Sequence, residues 1–188
     1  MKLLYLHGFR SSPQSAKAQR VQDFCASQNW DAPIIPQLPI SPKEAIDLCE
    51  NLIAQHQISA VCGSSLGGFY ALYLAEKYGL RGGLINPAIS PWIDLERADN
   101  HVRYDIDALD RDENSHYVEQ LKPYFTPKLS HPERFFLLVG AADEVLDARQ
   151  AINHLDGARQ IVVPRANHAI TDFGGHLAEL MLFLSAKD

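Results

Sequence analysis

The chain is poor in several features that would direct its reading elsewhere. It has only three cysteines in 188 residues, Cys25, Cys49 and Cys62. The number is odd, no two form a C-x-x-C pair, and each sits at an apolar, periodic position. Buried free thiols are expected, and a disulfide framework or zinc centre is not. No apolar run approaches the roughly 18–20 residues that a membrane span requires. The first such run, Leu3 to Leu6, is too short for a signal-peptide core, so a cytoplasmic location is expected. Basic charge is scarce as well: 17 Lys and Arg face 23 Asp and Glu, giving a net charge of −6. Between Asp94 and Glu113 stand eight acids (Asp94, Glu96, Asp99, Asp105, Asp107, Asp110, Asp112, Glu113) against three arginines (Arg97, Arg103, Arg111), so this stretch alone carries −5. A nucleic-acid partner needs the opposite sign and is excluded.

What is present is the composition of one globular domain, 46% apolar and 21% charged, with no repeat and no low-complexity segment. Short apolar runs alternate with helical periodicity. Lys2 to Leu6 reads as a strand buried on both faces. A helix is expected from near Ser12-Pro13, with Ala18, Val21, Phe24 and Cys25 as its apolar stripe. Ala32 to Pro36 reads as a short extended piece. Ser41-Pro42-Lys43-Glu44 is a capping box, and Ile46, Cys49, Leu52 and Ile53 give the next helix its buried face. Ile58 to Cys62, Gly82 to Ile85, Arg134 to Val139 and Gln160 to Val163 are further strands. Helices are expected over Phe69 to Tyr78, from Asp147 to Leu155, and through Phe173 and Leu184. The pattern predicts a three-layer α/β fold, a mostly parallel sheet covered on both faces, spanning residues 1–188 as a single domain. Residues 87–131 break the alternation, and a small cap-like insertion is expected there.

The chemistry concentrates at Gly63-Ser64-Ser65-Leu66-Gly67, between a strand and a helix. G-x-S-x-G in that context is the signature of a serine held on a sharp strand-to-helix turn. Glycines two residues to either side are needed because side chains there would collide across the turn. Ser65 is therefore the candidate nucleophile. Ser64 is out of register, since centring the motif on it would require glycine at Cys62 and Leu66.

A serine needs a base, and the base needs an orienting acid. In this architecture the chain order is Ser, acid, His, with each partner on a loop after a later strand. Asp143 and His168 satisfy both conditions. Glu144 and Asp147 are rival acids, although Glu144 would point differently from the same turn and Asp147 suits a helix N-cap. His56, His101, His116, His131 and His154 read as surface residues, and His176 as a surface or cap residue. His7 lies at the mouth of the first strand and reads as loop-shaping rather than basic. The oxyanion of an acyl intermediate needs two donors. The backbone N–H of Leu66 is one candidate. The N–H of Phe9 is the other, since Gly8 lets that loop pass close to a substrate.

His7-Gly8-Phe9-Arg10-Ser11-Ser12-Pro13 with Ser15 and Lys17, and then Gly63-Ser64-Ser65-Leu66-Gly67-Gly68-Phe69-Tyr70-Ala71, resemble the YqiA-like esterases of bacteria. Asn86-Pro87-Ala88, Asp143 to Asp147 and Asn167-His168 extend the resemblance along essentially the whole chain. The resemblance implies a compact α/β-hydrolase fold, a triad carried by Ser65, Asp143 and His168, and hydrolysis of carboxylic esters, extending to acyl-CoA thioesters. Gly140-Ala141-Ala142 departs from that family, which more often carries a polar or acidic residue just before the acid.

The expected partner is a small-molecule ester of short to medium acyl length, with no metal or organic cofactor. A thioesterase using the same residues and a non-catalytic binding module on the same fold are the alternatives. If the 87–131 segment borders the site, its charge would disfavour polyanionic substrates.

Overall fold

Alternation along each strand decides which layer its side chains join. In β1 (Leu3–Leu6), Leu3 and Tyr5 enter one apolar cluster and Leu4 and Leu6 the other. The computed structural model of the chain describes residues 1–94 and 111–186. β1 is followed by α1 (Ala16–Ser27), α2 (Pro42–His56), β2 (Ala60–Ser64), α3 (Leu66–Tyr78) and β3 (Arg81–Ile85). After α4 (Arg111–Leu121) come β4 (Phe135–Gly140), α5 (Ala148–His154), β5 (Arg159–Val163) and α6 (Phe173–Ser185). The five strands lie in sequential order and every neighbouring pair is parallel.

The sheet divides the core in two. On one face α1 and α6 cover Leu3, Tyr5, Cys62, Ile85, Phe136 and Leu138. On the other, α2, α3, α4 and α5 cover Leu4, Leu6, Val61, Leu84 and Leu137. Each fully buried aliphatic or aromatic side chain of this kind contributes about 1.5–3 kcal/mol by leaving water. The extended piece read at Ala32 to Pro36 lies on the outer side of β1. Tyr5 N–H donates to the Ile34 carbonyl at 2.9 Å and Ile34 N–H to the Leu3 carbonyl at 2.8 Å.

Some boundaries differ from the sequence reading. α1 starts at Ala16, because Ser12 and Pro13 form a turn closed by Ser15 N–H to the Ser12 carbonyl at 3.0 Å. α3 starts at Leu66 rather than Phe69, so the turn after β2 is a single residue long. His154 is not a solvated residue: it is half-buried, its Nε2 lies 2.7 Å from the Thr126 carbonyl, and its ring packs on Phe125. Cys25, Cys49 and Cys62 are buried free thiols, and burial pushes the Cys49 thiol up to about 12. No helix among the described residues is long and apolar enough to cross a membrane. Of the acidic stretch, Glu96, Asp99, Asp105, Asp107 and Asp110, with Arg97, Arg103 and His101, lie outside the described residues, as does that part of the expected cap.

Candidate active site

β2 ends at Ser64 and α3 begins at Leu66, which leaves Ser65 alone to reverse the chain. Its backbone takes φ 54° and ψ −123°, a region closed to most residues with a Cβ. The conformation persists because its neighbours over-determine it. Ser65 N–H donates to the Ile85 carbonyl at 3.0 Å, and its own carbonyl accepts from Gly68 at 2.9 Å and Ala88 at 3.1 Å.

The flanking glycines are steric requirements. A Cβ on Gly63 would stand 2.0 Å from the Gly67 carbonyl oxygen. One on Gly67 would stand 2.2 Å from the Leu6 carbonyl oxygen and 2.5 Å from that of His7. Gly67 thus lets the start of α3 press against the end of β1. Gly8 lies over the turn in the same way, since a Cβ added there would stand 3.3 Å from Ser65 Cβ. The loop carrying Phe9 therefore passes directly beside the serine. Leu66, as first residue of α3, has an amide with no acceptor inside its helix.

His7 shapes that loop. It is buried, its Nε2 accepts from Leu38 N–H at 3.1 Å, and its Nδ1 lies 2.9 Å from the Gly8 carbonyl. Those partners require the hydrogen on Nδ1, leaving the ring neutral and engaged on both sides.

Asp143 follows the end of β4, and its Oδ2 lies 2.7 Å from His168 Nδ1. Its Oδ1 accepts from Val145 N–H at 2.8 Å and Leu146 N–H at 2.9 Å. The Asp143 side chain is 1% exposed and that of His168 23%, so a buried, fully bonded carboxylate steers a partly accessible imidazole. With Nδ1–H donated to the carboxylate, Nε2 is left as the basic nitrogen. The rival acids are occupied differently. Glu144 Oε2 accepts the backbone N–H of His168 at 3.0 Å. Asp147 caps α5 through Arg149 N–H at 3.0 Å. Ser65 and His168 line one cavity of about 430 Å3, with Gly8, Phe9 and Val145. A smaller apolar slot of about 30 Å3 opens from Ser65 between Leu66, Ala88, Tyr117 and Leu146.

One residue at the site escaped sequence reasoning. Asn86, read as the end of a strand, is 2% exposed and sits at φ 40°. Its Oδ1 accepts Gly140 N–H at 2.8 Å, and its Nδ2 donates to the carbonyls of His168 at 2.8 Å and Asn167 at 3.3 Å. The side chain thus ties the segment behind the serine to the end of β4 and to the histidine loop. The signal available was a polar residue tolerant of positive φ closing an otherwise apolar strand.

A parallel sheet with helices on both faces and a serine on a one-residue strand-to-helix turn defines the α/β-hydrolase architecture. Solved structures agree on the fold. The ferulic-acid complex of Est1E from Butyrivibrio proteoclasticus superimposes with a TM-score of 0.73 at 14% identity, over 100% of this chain and 90% of that one. Alpha/beta hydrolase domain-containing protein 10 from mouse gives 0.69 at 16% identity, over 98% and 90%. The esterase domain of a Rhodothermus marinus protein gives 0.67 at 14%, over 98% and 85%. The chain itself belongs to the Uncharacterised protein family (UPF0227), whose family model matches residues 2–185.

Proposed function

We propose that the protein is a serine esterase that hydrolyses carboxylic esters of short to medium acyl length through Ser65, His168 and Asp143. The observation that carries this reading is a strained serine sharing a cavity with a histidine whose other ring nitrogen meets a buried carboxylate. His168 Nε2 takes the Ser65 proton as the hydroxyl attacks the ester carbonyl. Asp143 holds the Nδ1–H tautomer and stabilises the imidazolium that forms. The amides of Phe9 and Leu66 receive the oxyanion, each such donor being worth about 3–4 kcal/mol in the transition state. The alcohol leaves with the proton from His168, and a water activated by the same nitrogen releases the acid. This sequence needs only side chains, backbone amides and water. The similarity of fold to the esterase domain of the Rhodothermus marinus protein supports the reaction class. Ser65→Ala should abolish both labelling by a fluorophosphonate and hydrolysis of p-nitrophenyl butyrate while the circular dichroism spectrum is unchanged. Labelling of the variant at the wild-type level would refute the assignment.

A further inference from the structure

The cavity holding Ser65 and His168 has a second wall that this mechanism does not use. Ser11, Ser15 and Lys17 build it, from the loop before α1 and the first turn of that helix. Lys17 is half-buried, and among the described residues its ammonium has no hydrogen-bond or ion-pair partner. Three other lysines, Lys43, Lys77 and Lys122, each hold a carboxylate at the surface.

Among the described residues the nearby Asp143 carboxylate is the one local group that favours the Lys17 cation, and it offsets burial only in part. An ammonium drawn out of water without a pair is disfavoured. The start of a helix carries the positive end of its dipole, so a cation in the first turn is opposed again. Ser15, at the N-cap, makes no side-chain cap bond, so its hydroxyl is not committed to the helix. Burial lowers the Lys17 pKa from the ordinary lysine range, while the Asp143 carboxylate pulls it the other way. Among the described residues Asp143 attracts the lysine without closing an ion pair with it, and its own hydrogen bonds run to His168, Val145 and Leu146. A bound anion would relieve each of these penalties at once.

We propose that Lys17, with the hydroxyls of Ser11 and Ser15, binds an anionic oxygen group, carboxylate or phosphate, on the alcohol half of the ester. The inference rests on the serine-esterase reading above and adds the substrate class. The assignment to the alcohol half follows from the chemistry. His168 must protonate the departing alkoxide, so the alcohol half lies in the cavity that contains His168, and Lys17 lines that same cavity. The apolar slot beside Leu66 receives the acyl half. In the first step the bond from Ser65 Oγ to the carbonyl carbon forms and the bond from that carbon to the alcohol oxygen breaks. The serine proton passes through His168 to the alcohol, which departs still carrying its anionic group. Water then splits the acyl-enzyme to a carboxylic acid and restores the serine hydroxyl.

The test compares three acetyl esters with similar phenolic leaving groups: methyl 4-acetoxybenzoate, 4-acetoxybenzoate and 4-acetoxyphenyl phosphate. The readout is the ratio of kcat/KM for each charged ester to that for the neutral one. Lys17→Met should lower the ratio at least about tenfold, mainly through KM, because a charge-assisted contact is lost. Lys17→Glu should lower it further, and Lys17→Arg should restore it. Whichever charged arm responds identifies the anion. A ratio unmoved by Lys17→Met on both arms, with the neutral ester still turned over, overturns this inference and leaves the serine-esterase reading standing. A wild-type protein that fluorophosphonate does not label at Ser65 overturns both.

Discussion

Replacing Asn86 by Asp exchanges one NH2 group for an oxygen and tests the bridge behind the histidine loop. Shape and backbone preference are nearly preserved, since both residues tolerate the φ of 40° found here. The Oδ1 contact to Gly140 N–H also survives. The other oxygen would instead face the carbonyls of His168 and Asn167, at the 2.8 and 3.3 Å now spanned by donated hydrogens. At 2% exposure water cannot screen that repulsion, so the folded variant should keep this carboxyl protonated. The sign then follows from linkage. A carboxyl whose folded pKa is raised leaves stability intact below its unfolded pKa of about 3.9 and removes it as pH rises from there toward the folded value. At about 1.4 kcal/mol per pH unit, the penalty at pH 7 reaches about 4 kcal/mol if the folded carboxyl is still protonated there. Near pH 4 only the lost hydrogen bond to Asn167 remains, about 1 kcal/mol. Urea unfolding of wild type and variant between pH 4 and pH 7 measures the difference directly. A ΔΔG that stays below about 0.5 kcal/mol and flat across that range would refute the account of Asn86 as a buried donor.

Two further outcomes separate the neighbours of the site. Asp143→Asn should lower kcat by about four orders of magnitude by presenting the wrong imidazole tautomer, with KM little changed. Glu144→Gln keeps an acceptor for the His168 amide, so it should cost less than tenfold in kcat; a loss equal to that of Asp143→Asn would reverse the assignment of the acid. The thiols should be silent in the native state. With Cys25, Cys49 and Cys62 all buried and burial raising each pKa, a disulfide reagent at pH 8 should find essentially none before denaturation and three after it. A fast-reacting native thiol would contradict the packing described.

The features legible in the sequence were those written by local chemistry. The Gly63, Ser65 and Gly67 spacing is dictated by contacts across one turn, and the alternation of apolar runs with helical stripes gave the layers. Asp143 and His168 could be reached because each follows its own strand. Features made by distant segments were not legible. Asn86 reaches carbonyls 81 and 82 positions further along the chain, and Glu144 grips the His168 backbone across 24. His154 resembled any polar residue on a short helix until Phe125 and Thr126 were laid against it. Lys17 closes the motif that starts at His7, yet only the fold brings it to the same cavity as His168.

The strip at Ile34 decides where the site can be. From β1 the chain first travels outward to lay Ile34 along the free edge, and only afterwards crosses back to form β2 on the opposite side. The chain therefore reverses its direction of travel across the sheet at the Ile34 strip, which leaves β1 between that strip and β2. Right-handed crossovers taken in opposite directions put their helices on opposite faces, which is why α1 lies on one side and α2 and α3 on the other. The loops leaving β1 and β2 consequently part at their carboxyl ends and open a crevice between the layers, the topological switch point of an open α/β sheet. Ser65 enters that crevice from one layer and Lys17 from the other. The reversal in winding direction thus fixes both the position of the cavity and the two-sided origin of its walls, before any side chain lining it is chosen.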